Sequence, residues 1–339
     1  MNATSIRRKA ILYQSIFFCA AAVLVLTGLA LVLFIGSQGL ALFKVESPAD
    51  FFLGTTWNQN TGQYGVIPLV YGSIMTTFLT LVVSVPLAIL VAIFMVEIAP
   101  GPMRRVMRST VELFAALPSV IFGLLGLTII VPLVRQVFHA PLGKGILPAA
   151  IVLIFMVQPT IVTITEDAVR TAAASLREAS LAVGATRWQM LSGVILPASR
   201  QGILTATILG LGRAVGETMA VQMVIGNITV RIPSNLVSGA TTMPSTIVTQ
   251  LPEAADPVQH SALIMVGFLL LVIAFGLIAL VRSVTSRSKS SARPQTRMAR
   301  AQSAVGQASR PTGAPAQAVA HAPVLAPVRA GTRPRGTRT

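Results

Sequence analysis

The chain has 339 residues, of which 53% are hydrophobic and only 11% are charged, and its formal net charge is +16. About a quarter of the residues in a soluble globular domain are charged, so this composition excludes an ordinary soluble protein. We predict an all-α polytopic membrane protein, because several apolar runs reach the roughly 20 residues needed to cross a bilayer.

Six apolar runs are long enough to span a membrane. The first follows Arg7, Arg8 and Lys9 and exceeds the roughly 7–15 apolar residues of a signal peptide, which favours an uncleaved anchor over a cleaved signal. Cys19 is the single cysteine of the sequence, so no internal disulfide can form. The predicted spans lie near residues 11–36, 67–96, 113–134, 146–166, 201–226 and 261–281.

Basic residues predict the orientation of these spans. If the N-terminus is cytoplasmic, ten Lys and Arg residues outside the C-terminal region fall in short cytoplasmic segments, against four on the opposite side. Short cytoplasmic segments of membrane proteins are enriched in Lys and Arg. The sequence therefore predicts a multi-pass membrane protein with both termini in the cytoplasm.

The chain divides into a short N-terminus, a six-helix domain and a basic tail. Residues 1–10 are the predicted cytoplasmic N-terminus, and residues 11–281 form the membrane domain. Residues 282–339 contain no Asp or Glu and are rich in Ser, Pro, Ala and Arg, which predicts a disordered cytoplasmic tail that touches anionic membrane lipid rather than nucleic acid. The external loops 37–66 and 227–260 are either plain connections or short helices that form a docking surface.

One internal loop, 167–200, has a helical composition but is too polar to span. It reads DAVRTAAASLREASLAVGATRWQMLSGVILPASR. Its Ala, Leu, Glu and Arg content favours two short helices joined near Gly184. Such a pair is either offered to a partner protein or packed on its own bundle.

Within this loop, the stretch EASLAVGATRWQMLSGVILP resembles the signature of ABC importer permeases. Ser180 and Val194 are mild departures from the usual alanine and isoleucine. The resemblance implies a coupling helix that seats in a groove of a separate ATPase subunit. The matching positions are Glu178, Ala179, Gly184, Leu196 and Pro197.

A later stretch narrows the resemblance. The segment GLGRAVGETMAVQMVIGN, residues 210–227, is similar to the C-type permease subunit of phosphate-specific ABC importers. Over residues 50–282, this resemblance implies a type I ABC importer transmembrane-domain fold with Arg213 and Glu217 in the pathway of inorganic phosphate. The implied partners are an A-type phosphate permease subunit, two copies of an ATP-binding subunit and a periplasmic phosphate-binding protein.

The residues themselves also point to an anion pathway at Arg213 and Glu217. They stand four positions apart, so on one helix they lie on the same face and can reach each other. An ionised arginine at the centre of a bilayer costs roughly 2.5–3.5 kcal/mol, so both side chains are expected to face the bundle interior or a wet cavity. A guanidinium donates bidentate hydrogen bonds to phosphate, and Glu217 would compete for Arg213 once phosphate leaves. A permanent ion pair that only fixes helix packing is the alternative.

Two other functions stay open at this point. No G-x-x-x-x-G-K-[ST] loop occurs in the chain, so an ATP-driven role requires a separate subunit that hydrolyses ATP. No nucleophile, base and orienting group form a recognisable constellation, so we expect no enzyme, and we expect no cofactor. A gradient-driven secondary anion transporter that uses Glu217 as a proton relay is one alternative. An ABC permease for another oxyanion, sulfate or molybdate, is the second. The acidic residues Glu97, Glu112, Glu166 and Asp167 are predicted to be solvated charges at the cytoplasmic ends of helices.

Overall fold

The computed structural model describes residues 3–286, with side chains described at 13–172 and 176–283. Twelve α-helices and one short hairpin make up this part of the chain. Most of the predicted tail lies outside the described residues, but its first residues, 282–286, continue the last helix. The elements are α1 Ala3–Leu40, α2 Pro48–Leu53, β1 Trp57–Asn58, β2 Gln63–Tyr64, α3 Ile67–Ile93, α4 Gly101–Ala116, α5 Ser119–Leu125, α6 Val131–Val137, α7 Ile146–Ala182, α8 Arg187–Met190, α9 Leu196–Gly216, α10 Met219–Ile225, α11 Met243–Gln250 and α12 Pro257–Ser286.

Six helical stretches among the described residues are long and apolar enough to cross a membrane, so the predicted number of spans is confirmed. Three of them are composite, because single π-helical turns extend or join their α-helices. The π-turns cover Phe94–Ile98, Gly126–Ile130 and Leu191–Ile195. The six stretches are Tyr13–Lys44, Ile67–Ile98, Ser119–Val137, Ile146–Ala172, Arg187–Gly216 and Pro257–Ser283.

The centre of the bundle is formed by α3, α7 and α9. Small residues on α9 allow it to lie close to α7, since a Cβ added at Gly210 would stand 2.7 Å from the side chain of Ile161. A Cβ at Gly202 would stand 2.1 Å from that of Ala168. Close backbone approach of this kind is the usual way in which membrane helices associate. The contact fixes α9, and with it Arg213, against α7.

At one end of the bundle, which we call the hairpin end, the loops form a packed cap. Trp57 of β1 is fully buried, stacks edge-on against Tyr64 of β2, and donates a hydrogen bond from its Nε1 to Oε1 of Gln250 at 2.8 Å. Beneath the cap, a Cβ at Gly72 on α3 would lie 1.8 Å from the carbonyl oxygen of Thr241. The long loops at the hairpin end are therefore structured, and each contains a short helix, α2 or α11.

Candidate functional site

Arg213 lies near the C-terminal end of α9 and is partly buried. Its Nη1 donates a hydrogen bond to Oγ1 of Thr160 on α7 at 3.0 Å. In the described part of the chain, the ion pairs do not include Arg213. A guanidinium carries five N–H donors, and this contact uses one of them. The remaining donors have no carboxylate partner among the described residues.

Glu217 does not lie on the same helical face as Arg213, and the expectation that the two share one is wrong. Helix α9 ends at Gly216, and Glu217 has extended backbone with φ −72° and ψ 125°. Its Oε1 accepts a hydrogen bond from the backbone N–H of Ala220 at 3.1 Å. The carboxylate thus satisfies a free N–H in the first turn of α10, where the helix dipole also favours a negative charge. Glycine at position 216 lowers the free-energy cost of ending the helix there, because glycine is a poor helix former.

The helix break lies on an open side of the chain. A Cβ added at Gly212 or at Gly216 would meet nothing within 4 Å, and Leu209 one turn earlier is half exposed. Interrupted helices are tolerated at membrane depth where the free backbone groups face protein or a water-filled cavity. The break between α9 and α10 therefore places Arg213 and Glu217 beside a face that this chain leaves uncovered.

At the opposite end of the bundle, which we call the Gly184 end, α7 turns sharply into α8. Gly184 has φ +78°, its N–H donates to the carbonyl of Leu181 at 3.0 Å, and the N–H of Ala185 donates to that of Ser180 at 3.1 Å. These two bonds form a Schellman motif, which ends a helix with glycine in the left-handed conformation. Thr186 then starts α8 through a capping box with Gln189.

The predicted turn at Gly184 is thus present, but the two short helices flanking it are not separate elements. The first is the end of α7, which runs without interruption from Ile146 to Ala182. The second is the beginning of the composite span Arg187–Gly216. Any movement imposed on this turn therefore acts directly on two spans of the bundle.

The turn has a buried side and an exposed side. Met190 and Ile195 pack beneath it against Val96 and Val169. Of the signature residues, Glu178, Ala179, Gly184 and Pro197 are exposed and Leu196 is partly buried. The most exposed apolar side chains of the turn are those of Val183, 83% exposed, and Trp188, 73% exposed.

Two carboxylates at this end, Glu97 and Glu166, are paired and largely buried rather than solvated, which corrects the expectation for both, whereas Asp167 is exposed as expected. Glu97, next to the end of α3, accepts a hydrogen bond from Arg177 of α7. The side chain of Glu166 is 2% exposed and lies between Arg170 and Arg108, whose Nη1 is 3.6 Å from Oε1 of Glu166. Burial of a carboxylate is tolerated when arginines satisfy it, and the pairs join α3, α4 and α7.

Arg108 also pairs with Glu112, which is exposed as expected. The hydrogen bond from Arg108 to the Glu112 carboxylate, assisted by Glu166, raises the pKa of the guanidinium above its ordinary value. The guanidinium of Arg108 thus joins α4 to Glu166 of α7.

Thr160 is the site residue that the sequence did not single out. It is one of several Thr residues in the apolar part of α7, and nothing in its spacing separates it from the others. Its position one residue after Pro159, at an interruption of the α7 hydrogen-bond ladder, is the only local signal. Only the packing of α9 on α7 brings the Arg213 guanidinium to its hydroxyl.

Comparison with known proteins adds a family and a fold. Residues 84–290 match the family model described as binding-protein-dependent transport system inner membrane component. The probable ABC transporter permease protein YqgH of Bacillus subtilis is 38% identical, and the match covers 81% of this chain and 91% of that protein. The phosphate transport system permease protein PstC of Mesorhizobium japonicum is 37% identical, and the match covers 79% and 88%.

Among solved structures, a chain of a bacterial alginate ABC transporter in complex with its alginate-bound periplasmic protein aligns with a TM-score of 0.58 and 16% identity. The alignment covers 84% of this chain and 96% of that one. At that identity the likeness shows the fold alone. The expected type I ABC importer transmembrane-domain fold is confirmed.

Proposed function

This chain belongs to the family of binding-protein-dependent transport system inner membrane components, and from that premise we propose that it carries inorganic phosphate across the inner membrane in an ATP-driven importer. The chain is a multi-pass permease subunit of an ABC importer and not itself an enzyme. Importers of this family work with ATP-binding subunits and a periplasmic binding protein. For this chain we propose an A-type phosphate permease subunit, two copies of the ATP-binding subunit and a periplasmic phosphate-binding protein.

The observation that carries the proposal is the state of Arg213. The guanidinium donates to the hydroxyl of Thr160, has no carboxylate partner among the described residues, and stands beside an interrupted helix. A fixed guanidinium of this kind matches the geometry of a phosphate oxyanion, to which it donates two parallel hydrogen bonds. Relatives named as phosphate transport permeases support the choice of phosphate over other anions.

Glu217 is assigned to the same pathway as a competitor for Arg213. Its carboxylate is one residue beyond α9 and is held by the N–H of Ala220 through a single hydrogen bond at 3.1 Å. Release from that N–H frees the carboxylate to approach Arg213 after phosphate has left, which resets the site electrostatically. A transport site needs such a competitor, because an anion bound too tightly is not released.

The Gly184 turn is assigned to the ATPase contact. Glu178, Ala179 and Gly184 lie on its exposed surface, while Leu196 and Pro197 begin α9. Exposed apolar side chains at a rigid turn suit insertion into a groove of a partner. Because the turn ends α7 and begins the span that carries Arg213, closure of the ATPase would move the phosphate site directly.

The orientation follows from the same assignment, with the Gly184 end and both termini in the cytoplasm. Its test is the reaction of single cysteines with a membrane-impermeant maleimide in a Cys19→Ser background. Asn60→Cys at the tip of the hairpin is expected to react from the periplasm, and Ala185→Cys only after the membrane is opened. The reverse pattern would overturn the orientation.

The test of function is ATP-dependent uptake of labelled phosphate by proteoliposomes that contain the complete importer. We expect Arg213→Gln to abolish uptake while the complex still assembles, and Arg231→Gln to leave uptake unchanged. Arg231 is the matched control, since it is an exposed arginine of the hairpin end. Normal uptake by the Arg213 variant would reduce Arg213 to a packing residue.

The same vesicles separate the alternatives. Uptake that follows a proton gradient and ignores ATP would favour a secondary transporter with Glu217 as proton relay. ATP-dependent uptake of sulfate or molybdate in place of phosphate would keep the importer and change its substrate.

A further inference from the structure

A polar concavity of about 530 Å³ opens at the hairpin end, between α2 and the β1–β2 hairpin. Its floor is the close contact of two glycines, since a Cβ added at Gly65 would stand 2.4 Å from the carbonyl carbon of Gly54. Glu46 and Asp50 line it on the α2 side, and Thr56 lines it near the hairpin. No larger residue fits at the two glycines, so the cavity is built into the backbone.

Tyr64 gives this concavity an unused hydrogen-bonding group. The residue is 3% exposed and lines the cavity, yet its hydroxyl has no hydrogen-bond partner among the residues that the structure describes. Burial, followed by the charges of Asp256 and Glu46, raises the pKa of the Tyr64 hydroxyl above its ordinary value. The hydroxyl is therefore neutral, able to donate and to accept, and surrounded by negative potential.

The charges of the lining decide which ligands fit. The ion pairs of the described residues include neither Glu46 nor Asp50, so both carboxylates are available. Two carboxylates repel phosphate, which places this concavity outside the phosphate route. The described residues hold no group of three or more His, Cys, Asp or Glu side chains suited to a metal ion. The ligand that this acidic lining suits is therefore a cationic group of another protein.

A soluble partner fits the concavity better than a second permease subunit does. Permanent subunit interfaces are more apolar, and they would desolvate two carboxylates. A reversible contact is more polar and uses complementary charge to guide encounter and register. The family to which the chain belongs requires a soluble binding protein.

We propose that this concavity is a docking socket that receives a lysine or arginine side chain of the periplasmic binding protein, with Glu46 and Asp50 as its anionic partners and Tyr64 Oη as a further acceptor. The assignment rests on the proposed orientation, in which the hairpin end faces the periplasm. It is independent of Arg213, which lies at the helix break in a different part of the chain.

The test measures docking rather than transport. The complete importer in lipid nanodiscs is titrated with purified periplasmic binding proteins loaded with phosphate, sulfate or molybdate, and the dissociation constant is recorded at two salt concentrations. The wild-type complex is expected to select the phosphate-loaded protein. The double variant Glu46→Gln/Asp50→Asn should weaken that docking at least about tenfold and reduce its dependence on salt.

Control variants keep the outcomes apart. Glu253→Gln changes an exposed carboxylate of the same end that does not line the concavity, and it should dock like the wild type. The docking measurement does not use the uptake assay, so a failure of the proposal for Arg213 in uptake leaves this one standing. Asp50→Lys, which places a positive charge in the socket, should weaken docking more than the neutral variant does.

Docking by Glu46→Gln/Asp50→Asn equal to that of Glu253→Gln would overturn the socket. Occupation of the concavity by a loop of the A-type permease subunit would also overturn it. That occupation would be seen as protection of Asp50→Cys from maleimide in the assembled importer before any binding protein is added. If the importer selects the sulfate- or molybdate-loaded protein and the double variant loses that docking, the docking socket is supported. The proposal that the importer carries phosphate is then refuted. A wild-type importer that captures none of the three would overturn both proposals.

Discussion

Replacing Gly184 with alanine tests whether the turn between α7 and α8 must be rigid for coupling. The φ of +78° lies in the left-handed region, where a residue with a Cβ costs about 1–2 kcal/mol. A Cβ at this position would meet nothing within 4 Å, so the whole cost is conformational and no steric clash contributes. Since 1.4 kcal/mol is a factor of ten in an equilibrium, the Schellman turn should become roughly 5- to 30-fold less favoured relative to alternative turns.

The assay is ATP-dependent phosphate uptake together with the melting temperature of the purified importer. We expect Gly184→Ala to lower both, and Gly184→Asn to recover part of the loss, because asparagine tolerates the left-handed conformation better than alanine. Gly193→Ala is the matched control, since Gly193 is equally open but has no positive φ. Equal behaviour of Gly184→Ala and Gly193→Ala would refute the reasoning, because the left-handed backbone would then have no role.

Two further predictions concern the cap at the hairpin end, and both are measured as changes in the melting temperature of the importer. Gly72→Val should destabilise the fold by about 1–3 kcal/mol or more, because the Cβ would stand 1.8 Å from a backbone oxygen of Thr241 that cannot move alone. The control is Gly28→Val on α1, which should have little effect because a Cβ there would meet nothing within 4 Å. Trp57→Phe should cost about 1 kcal/mol beyond its lost packing, since the hydrogen bond to Gln250 disappears. In the permease chain purified without its ATPase, Trp188→Phe, at a tryptophan that is 73% exposed, should change the melting temperature less.

Hydropathy predicts the number of spans correctly, but it places the ends of five of them too early and the end of the fifth, predicted at 226, ten residues beyond the observed Gly216. Helix α7 shows why a predicted end falls too early. The predicted span stops at 166, where the first charges of the segment appear, whereas the helix continues to Ala182. Glu166 and Arg177 do not end the helix, because both are paired with groups of neighbouring elements. A window of hydropathy cannot see such partners, since they come from α4 and from the end of α3, far away in the sequence.

The turn at Gly184 was predictable for a different reason. Its geometry depends on local residues alone, with glycine in the left-handed position and Thr186 as the first cap of α8. The site at Arg213 was predictable only as a location. Spacing of four residues suggests a helical ion pair, but that inference assumes an unbroken helix, and the N–H of Ala220 competes for Glu217 while Thr160 competes for Arg213.

Glu217 is therefore asked to perform two tasks, and substitutions can separate them. Glu217→Gln keeps an oxygen that accepts from the N–H of Ala220, so assembly and melting temperature should stay close to wild type. The amide has no charge with which to compete for Arg213, and a hydrogen bond to a charged group contributes about 1.5–3 kcal/mol, so uptake should fall roughly 10- to 150-fold. Glu217→Ala should lose uptake and, in addition, about 1 kcal/mol of stability, because an N–H of α10 is left without its cap. Normal uptake by the glutamine variant would leave Glu217 as a helix cap alone, and the release of phosphate would then need another competitor for Arg213.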